Sequence, residues 1–303
     1  MKGNALLLGG TGFAGTHMRC LLEANYNVIA TGHGDDIRDR GHVSRLVKRT
    51  SPDVVVNFAS ITTVRESFED PGRTYHIGFL GMLNLISELK EQGFGGRVLN
   101  ISSSEVYGFP REDQLPITEN TPTSPMSPYA VNKIATEALC HQWSQTEAFE
   151  IVTARPFTHI GPGQSDRFAI SSFARQIAEI MLGMREAVIR VGNLDSTRDL
   201  TDVRDVVRAY VVLLERGSSG KIYNVCSGRE TLMRSLLDNL IQLSKTDIKV
   251  EQDPSLVRER EQRRILGSFE KLHNETGWEP EMSISRTLSD TLAYWLEKLK
   301  LNK

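Results

Sequence analysis

Through the first half of the chain, short runs of aliphatic and β-branched residues alternate with longer stretches whose apolar positions recur every three to four residues. A strand buried on both faces reads as continuously apolar and a covering helix as a stripe, so the alternation predicts a parallel sheet coated by helices. Residues 4–8 are the expected first strand, followed by a helix over 12–24 and a second strand over 27–31. A short third strand is expected around Asp36-Ile37, before a helix over 39–50. Beyond Pro52, residues 53–58 with Val54, Val55 and Val56 predict a fourth strand, and a long helix covers 73–92. Residues 97–102 form the fifth strand, a proline-rich loop fills 108–128, and a helix reaching to 147 leads to a sixth strand over 150–155.

After Pro156 the rhythm changes. Gly161-Pro162-Gly163 is a turn, and helices are expected over 170–182, 203–215, 232–243 and 283–300, with a strand over 221–225 and an arginine-dense run over 257–264. The fold class expected is α/β: a doubly wound parallel sheet with a smaller C-terminal α/β lobe. The chain crosses between the two more than once, with 1–157 and 196–226 forming the dinucleotide-binding part and 158–195 and 227–303 the second lobe.

Two local patterns carry chemistry. Gly9-Gly10-Thr11-Gly12-Phe13-Ala14-Gly15 follows a strand and opens a helix, where glycines permit a tight turn and close approach of a pyrophosphate to the helix N-terminus. Ser127-Pro128 then starts a later helix, and the i, i+4 spacing of Tyr129 and Lys133 puts a phenol and an ammonium on one face. A nearby cation favours the phenolate, which makes Tyr129 a candidate proton donor and acceptor. Ser103 lies at the end of the fifth strand, the side of a doubly wound sheet where ligands bind, and its hydroxyl can hold a substrate carbonyl. Glu105 reads either as an acid/base for elimination chemistry or as a loop carboxylate. At the tip of the second strand stand Thr31-Gly32-His33, without the acid that would accept from the ribose hydroxyls of NAD. That tilts the coenzyme from NAD(H) toward NADP(H), with His33 facing a 2′-phosphate or simply exposed in a loop. Asp36-Ile37 could meet the adenine edge. Arg198 and Arg258 offer forks for a diphosphate.

Composition narrows the partners. With 36 basic and 38 acidic residues the net charge is -2, which gives no footprint for nucleic acid and no polybasic patch for a membrane surface. No stretch is long and apolar enough to span a bilayer, and no signal peptide is apparent. Cys20, Cys140 and Cys226 are scattered, without metal-ligand spacing, and suggest packing thiols in a reducing, cytoplasmic setting; Cys140 reads as core.

Taken together, the glycine loop, Ser103 and the Tyr129/Lys133 pair resemble an extended short-chain dehydrogenase/reductase. More narrowly, Ser127-Pro128-Tyr129-Ala130-Val131-Asn132-Lys133, His159-Ile160-Gly161-Pro162-Gly163-Gln164, Thr197-Arg198-Asp199-Leu200-Thr201-Asp202-Val203, Tyr223-Asn224-Val225-Cys226-Ser227-Gly228 and Thr276-Gly277-Trp278-Glu279-Pro280 resemble the GDP-4-keto-6-deoxy-D-mannose reductases. The resemblance implies hydride transfer from NAD(P)H to the C4 ketone of a GDP-sugar, giving GDP-D-rhamnose or its C4 epimer. GDP-mannose 4,6-dehydratase, kept open by Glu105, and a non-catalytic dinucleotide sensor are the alternatives. It also implies that Lys133 holds the nicotinamide ribose and lowers the Tyr129 pKa, and that Gly9, Gly12, Phe13, Ala14, Gly15, Thr31, His33, Asp36, Ile37, Phe58, Ala59 and Pro156 surround the coenzyme. Ser104, Glu105, Thr158, Arg198, Arg258 and Glu261 would face the sugar nucleotide, and a homodimer would form through the helices around Gly81 and Ala135. Two positions depart from the family: Gly78 and Thr158 stand where Asn is usual.

Overall fold

The computed structural model describes residues 2–32, 34–257 and 262–301; His33, Arg258 and Glu261 lie outside the described residues. Eleven strands are described: β1 Gly3–Leu8, β2 Tyr26–Ala30, β3 Val54–Asn57, β4 Arg97–Ile101, β5 Glu150–Pro156, β6 Thr158–Ile160, β7 Val188–Val191, β8 Thr197–Asp202, β9 Ile222–Val225, β10 Glu230–Leu232 and β11 Lys249–Gln252. Six form a parallel sheet in the order β2-β1-β3-β4-β5-β9. From β1 the chain winds outward to β2 and then returns to β3, so the order reverses between β1 and β3 and a crevice opens at their carboxyl ends.

The described helices are α1 Phe13–Leu22, α2 Arg40–Thr50, α3 Val64–Glu69, α4 Pro71–Tyr75, α5 Gly81–Glu91, α6 Pro128–Thr146, α7 Ala169–Met181, α8 Val203–Arg216, α9 Met233–Ser244, α10 Glu270–Thr276 and α11 Ile284–Leu301, with an amphipathic stripe clearest on α2, α7, α8 and α9. Met18 and Leu22 of α1 pack with Val206 and Tyr210 of α8 on one face of the sheet. Leu46 of α2, Leu85 of α5 and Cys140 of α6 pack on the other. A separate core joins α7, α9 and α11 through Ile177, Leu237 and Leu292. Beside it β8 pairs with β6 in parallel and with β10 in antiparallel, and β7 pairs with β11.

The strand expected at Asp36-Ile37 does not form. The chain passes from β2 into α2 through turns, Asp36 accepts the Arg38 backbone N–H at 2.9 Å, and Ile37 turns inward against Gly81. The long helix expected over 73–92 is α4 and α5 joined by a π turn, His76–Leu80. The sequence reading also missed α3, α10 and the short strands of the smaller sheets, which are too brief to show a period. In β8, Asp199 and Asp202 interrupt the apolar pattern because both are buried acceptors.

Candidate active site

The crevice at the end of β1 is lined by the glycine loop, and each glycine has a steric reason. Gly9 adopts φ +70°, and a Cβ there would lie 3.0 Å from the Ala59 amide, so the loop rests against Phe58 and Ala59 at the end of β3. A Cβ on Gly15 would lie 2.7 Å from Gly10 Cα, so α1 closes tightly on the loop. Gly12 is the N-cap of α1 and supplies no side-chain cap, which leaves the amides at this helix start available to an anion. Thr31 is buried and its hydroxyl accepts the Gly9 N–H at 3.1 Å. Those features fit a dinucleotide pyrophosphate over Gly12, Phe13 and Ala14. Two further contacts escaped the sequence reading: Phe13 stacks on His159 with centroids 5.8 Å apart, and His17 Nε2 lies 2.8 Å from the Pro162 carbonyl. The glycine loop is thus braced by the segment that follows β5.

At the outer end, the Arg38 guanidinium holds the exposed Asp36 carboxyl down at about 2. Asn84 of α5 donates to the Ile37 and Arg38 carbonyls and fixes this loop against the helix. Asp35 folds back, accepting the Gly32 N–H at 2.9 Å and meeting His42 at 3.0 Å, beside a shallow groove also lined by Arg45 and Arg49.

Ser103, Tyr129 and Lys133 come together at the carboxyl end of β4. Ser103 caps a 3-10 turn over Ser104–Tyr107; its hydroxyl accepts the Glu105 N–H at 3.2 Å and lies close enough to the Tyr129 phenol to lower its pKa. Ser127 starts α6 by accepting the Ala130 N–H, which presents Tyr129 and Lys133 toward β4. Lys133 Nζ donates to the Ile101 carbonyl at 2.8 Å and lies 5.5 Å from the centre of the Tyr129 ring. Burial raises Tyr129 to about 12, against a lowering by Ser103, with the Glu105 charge adding to the rise. Burial also lowers Lys133 to about 8, opposed by the negative charge of Glu137. Desolvation is the largest influence on the phenol and sets the direction of its shift.

Behind the pair runs a buried network. Arg155 of β5 donates from Nη2 and Nε to Glu137 of α6 at 2.6 and 2.9 Å, and from Nη1 to the Tyr107 hydroxyl at 2.9 Å. Ser102 donates to Glu137, and Tyr107 donates to Asn224 at 2.7 Å. Glu105 is exposed at the rim and Ser104 half-buried beside it. Pro156 closes β5, Thr158 is exposed at the start of β6, and Arg198 of β8 donates to the carbonyls of Thr197 and Gln262, each at 2.8 Å. Among the described residues no group of three or more His, Cys, Asp or Glu is placed to hold a metal.

A glycine loop at the switch point of a parallel sheet, with serine, tyrosine and lysine converging on the same edge, defines a short-chain dehydrogenase/reductase. Comparison with known proteins narrows the class. The profile of the family described as GDP-mannose 4,6 dehydratase matches residues 30–291, and the chain belongs to that family. It is 42% identical over 303 residues to a GDP-6-deoxy-D-mannose reductase of Pseudomonas aeruginosa, covering 99% of each chain. A GDP-mannose 4,6-dehydratase of Yersinia enterocolitica is 26% identical, over 88% of this chain and 79% of the other. The solved structure of RMD from Pseudomonas aeruginosa complexed with NADPH superposes with a TM-score of 0.92 at 42% identity, covering 97% of this chain and 99% of that one. No helix among the described residues is long and apolar enough to cross a membrane.

Proposed function

We propose that this protein reduces the C4 ketone of GDP-4-keto-6-deoxy-D-mannose with NADPH, in the cytoplasm, to GDP-D-rhamnose or its C4 epimer. The observation that carries the reading is the convergence of Ser103, Tyr129 and Lys133 beside a dinucleotide crevice, in a chain 42% identical to a reductase over nearly its whole length. Bound along Gly9, Gly12, Phe13, Ala14 and Gly15, the reduced coenzyme supplies the hydride. Asp36 and Ile37 flank its adenine, Thr31, Phe58, Ala59 and Pro156 line its path, and Lys133 holds its nicotinamide ribose. Arg45 and Arg49 in the groove beside Asp35 favour a 2′-phosphate at that end.

Ser103 hydrogen-bonds the ketone oxygen and Tyr129 delivers its proton to that oxygen as the hydride arrives at C4. Because burial keeps Tyr129 protonated well above neutral pH, the phenol enters the reaction as an acid, the state that ketone reduction requires. Ser104, Glu105, Thr158 and Arg198 face the sugar nucleotide; Arg258 and Glu261, outside the described residues, are assigned to the same ligand by the sequence resemblance alone. The dehydratase reading is weaker: the relative of that activity is 26% identical, and Ser103 stands where such dehydratases usually carry Thr. We also propose a homodimer through α5 and α6, supported by the exposure of Val131 on α6 and of Leu80 in the π turn just before α5, with Phe68 and Tyr75 exposed on the neighbouring α3 and α4.

The test is stoichiometry and product. With GDP-4-keto-6-deoxy-D-mannose, one NADPH is expected to be oxidised per ketone consumed, and NMR should find a C4 alcohol. GDP-mannose alone should give no product; a keto-sugar formed from it without net NADPH consumption overturns the reading in favour of the dehydratase. Tyr129→Phe should lower turnover by about 10²–10⁴-fold while sparing NADPH binding. Unchanged turnover would remove Tyr129 from the assigned role.

A further inference from the structure

Gly78 is buried in the π turn His76–Leu80, where α6 packs against that turn. A Cβ built on Gly78 would overlap the Asn132 amide, 2.5 Å from Oδ1 and 2.6 Å from Cγ. The two positions are therefore reciprocal: the amide occupies this notch because residue 78 has no side chain. Asn132 is 1% exposed, and among the described residues neither its Oδ1 nor its Nδ2 has a hydrogen-bond partner. A buried amide is seldom left in that state, because the desolvation of both its polar atoms goes uncompensated. Alanine or serine would suit the space with less penalty, so an amide here points to a third group that completes it.

The surroundings say which group fits. A π turn shifts backbone carbonyls off the regular helical ladder and recurs at functional sites. Asn132 directly precedes Lys133 and follows Tyr129 by three residues, so all three lie within about one turn of α6. An ammonium carries three N–H donors, of which the Ile101 carbonyl takes one. A water needs two to four polar partners to be held in a buried site, and an amide, an ammonium and the carbonyls of a π turn supply that chemistry.

We propose that Asn132 is a positioning residue of the active site: seated over Gly78, its amide holds one buried water between the π turn and Lys133, and so fixes how Lys133 and Tyr129 face the reacting carbonyl. The role rests on the reductase reading for its kinetics but not for its geometry.

The test uses full-length protein with NADPH and the GDP-keto-sugar. Asn132→Ala should fold, bind NADPH with unchanged affinity and keep its KM, while kcat falls by about tenfold or more. The double variant Gly78→Asn/Asn132→Ser, which returns the amide from the opposite wall, should recover kcat to within about threefold of the parent. An unchanged kcat in Asn132→Ala overturns the assignment. So does a loss of NADPH affinity in step with kcat, which a merely structural residue would produce, or a folded double variant no more active than Asn132→Ala. A crystal structure of the NADPH complex decides the geometry whatever the substrate proves to be. A water bonded to both Asn132 and Lys133 supports the proposal; an Asn132 amide bonded only to protein groups refutes it. Failure of the parent to reduce the GDP-keto-sugar counts against the substrate alone.

Discussion

Enclosure moves Tyr129 and Lys133 toward their neutral forms, which lifts the phenol to about 12 and brings the ammonium down to about 8 from 10.5. The sign for stability follows from proton counting. Between about pH 8 and 10.5 the unfolded chain binds more protons at Lys133 than the folded one, so this residue's destabilisation is fully present below about 8 and relieved as the pH rises. Lys133→Met should accordingly be more stable than the parent at pH 7 in urea unfolding, with the gap closing toward pH 10.5. A gap that stays constant over that range would show that the buried charge is not what the fold resists. That Ser103, Tyr129 and Lys133 would be brought together was legible from the i, i+4 spacing taken with the glycine loop and the strand end, which are local facts. How strongly burial weighs on Tyr129 was not legible, since desolvation depends on everything packed around the phenol. Nor was the Gly78/Asn132 pair, whose two members meet only through a helix contact that no local pattern reveals.

The elements that matter to the site are α6 and β5, and a buried ion pair joins them. Glu137 and Arg155 are each about one-twentieth exposed at the side chain, and the pair is completed by Ser102 and Tyr107. Desolvation opposes the Arg155 charge, but Glu137 and Tyr107 hold it firmly protonated. Removing one partner leaves the other charge stranded, so Arg155→Met should destabilise the protein by about 3–5 kcal/mol in urea unfolding. If the loss is under about 1 kcal/mol, water reaches Glu137 and the network does not hold α6 against the sheet. The long elements were legible because α2, α8 and the apolar strands repeat their pattern over several turns or a full strand, and because Ser127-Pro128 marks where α6 starts. β6, β8 and β10 were not: they are three to six residues long, and β8 places Asp199 and Asp202 where an apolar pattern would be sought. Asp199 is a buried acceptor for the Ser227, Gly228 and Gly267 amides, a long-range closure that leaves no periodic signal.

At the scale of the whole molecule, α6 has two working faces. Tyr129, Lys133 and Glu137 look toward the sheet and Asn132 toward the π turn, while Val131 is exposed on the opposite side. Leu80, at the end of the π turn, is exposed as well, whereas Gly81 beside it faces inward against Ile37. A second copy seated on Val131 and Leu80 would therefore press on the outer side of the two elements that carry Asn132 and Gly78. Charge at that face should separate the copies, because an ionised carboxylate is poorly tolerated in an apolar contact. Sedimentation velocity is expected to find the parent as a dimer and Leu80→Glu/Val131→Glu as a folded monomer. If the dimer braces the α6 contact, the monomer should bind NADPH normally but lose kcat, and that loss should resemble the one in Asn132→Ala. A parent that sediments as a monomer removes the dimer. A monomeric variant with full kcat shows instead that α6 and its π turn hold their geometry within one chain, with the exposed apolar residues serving association alone.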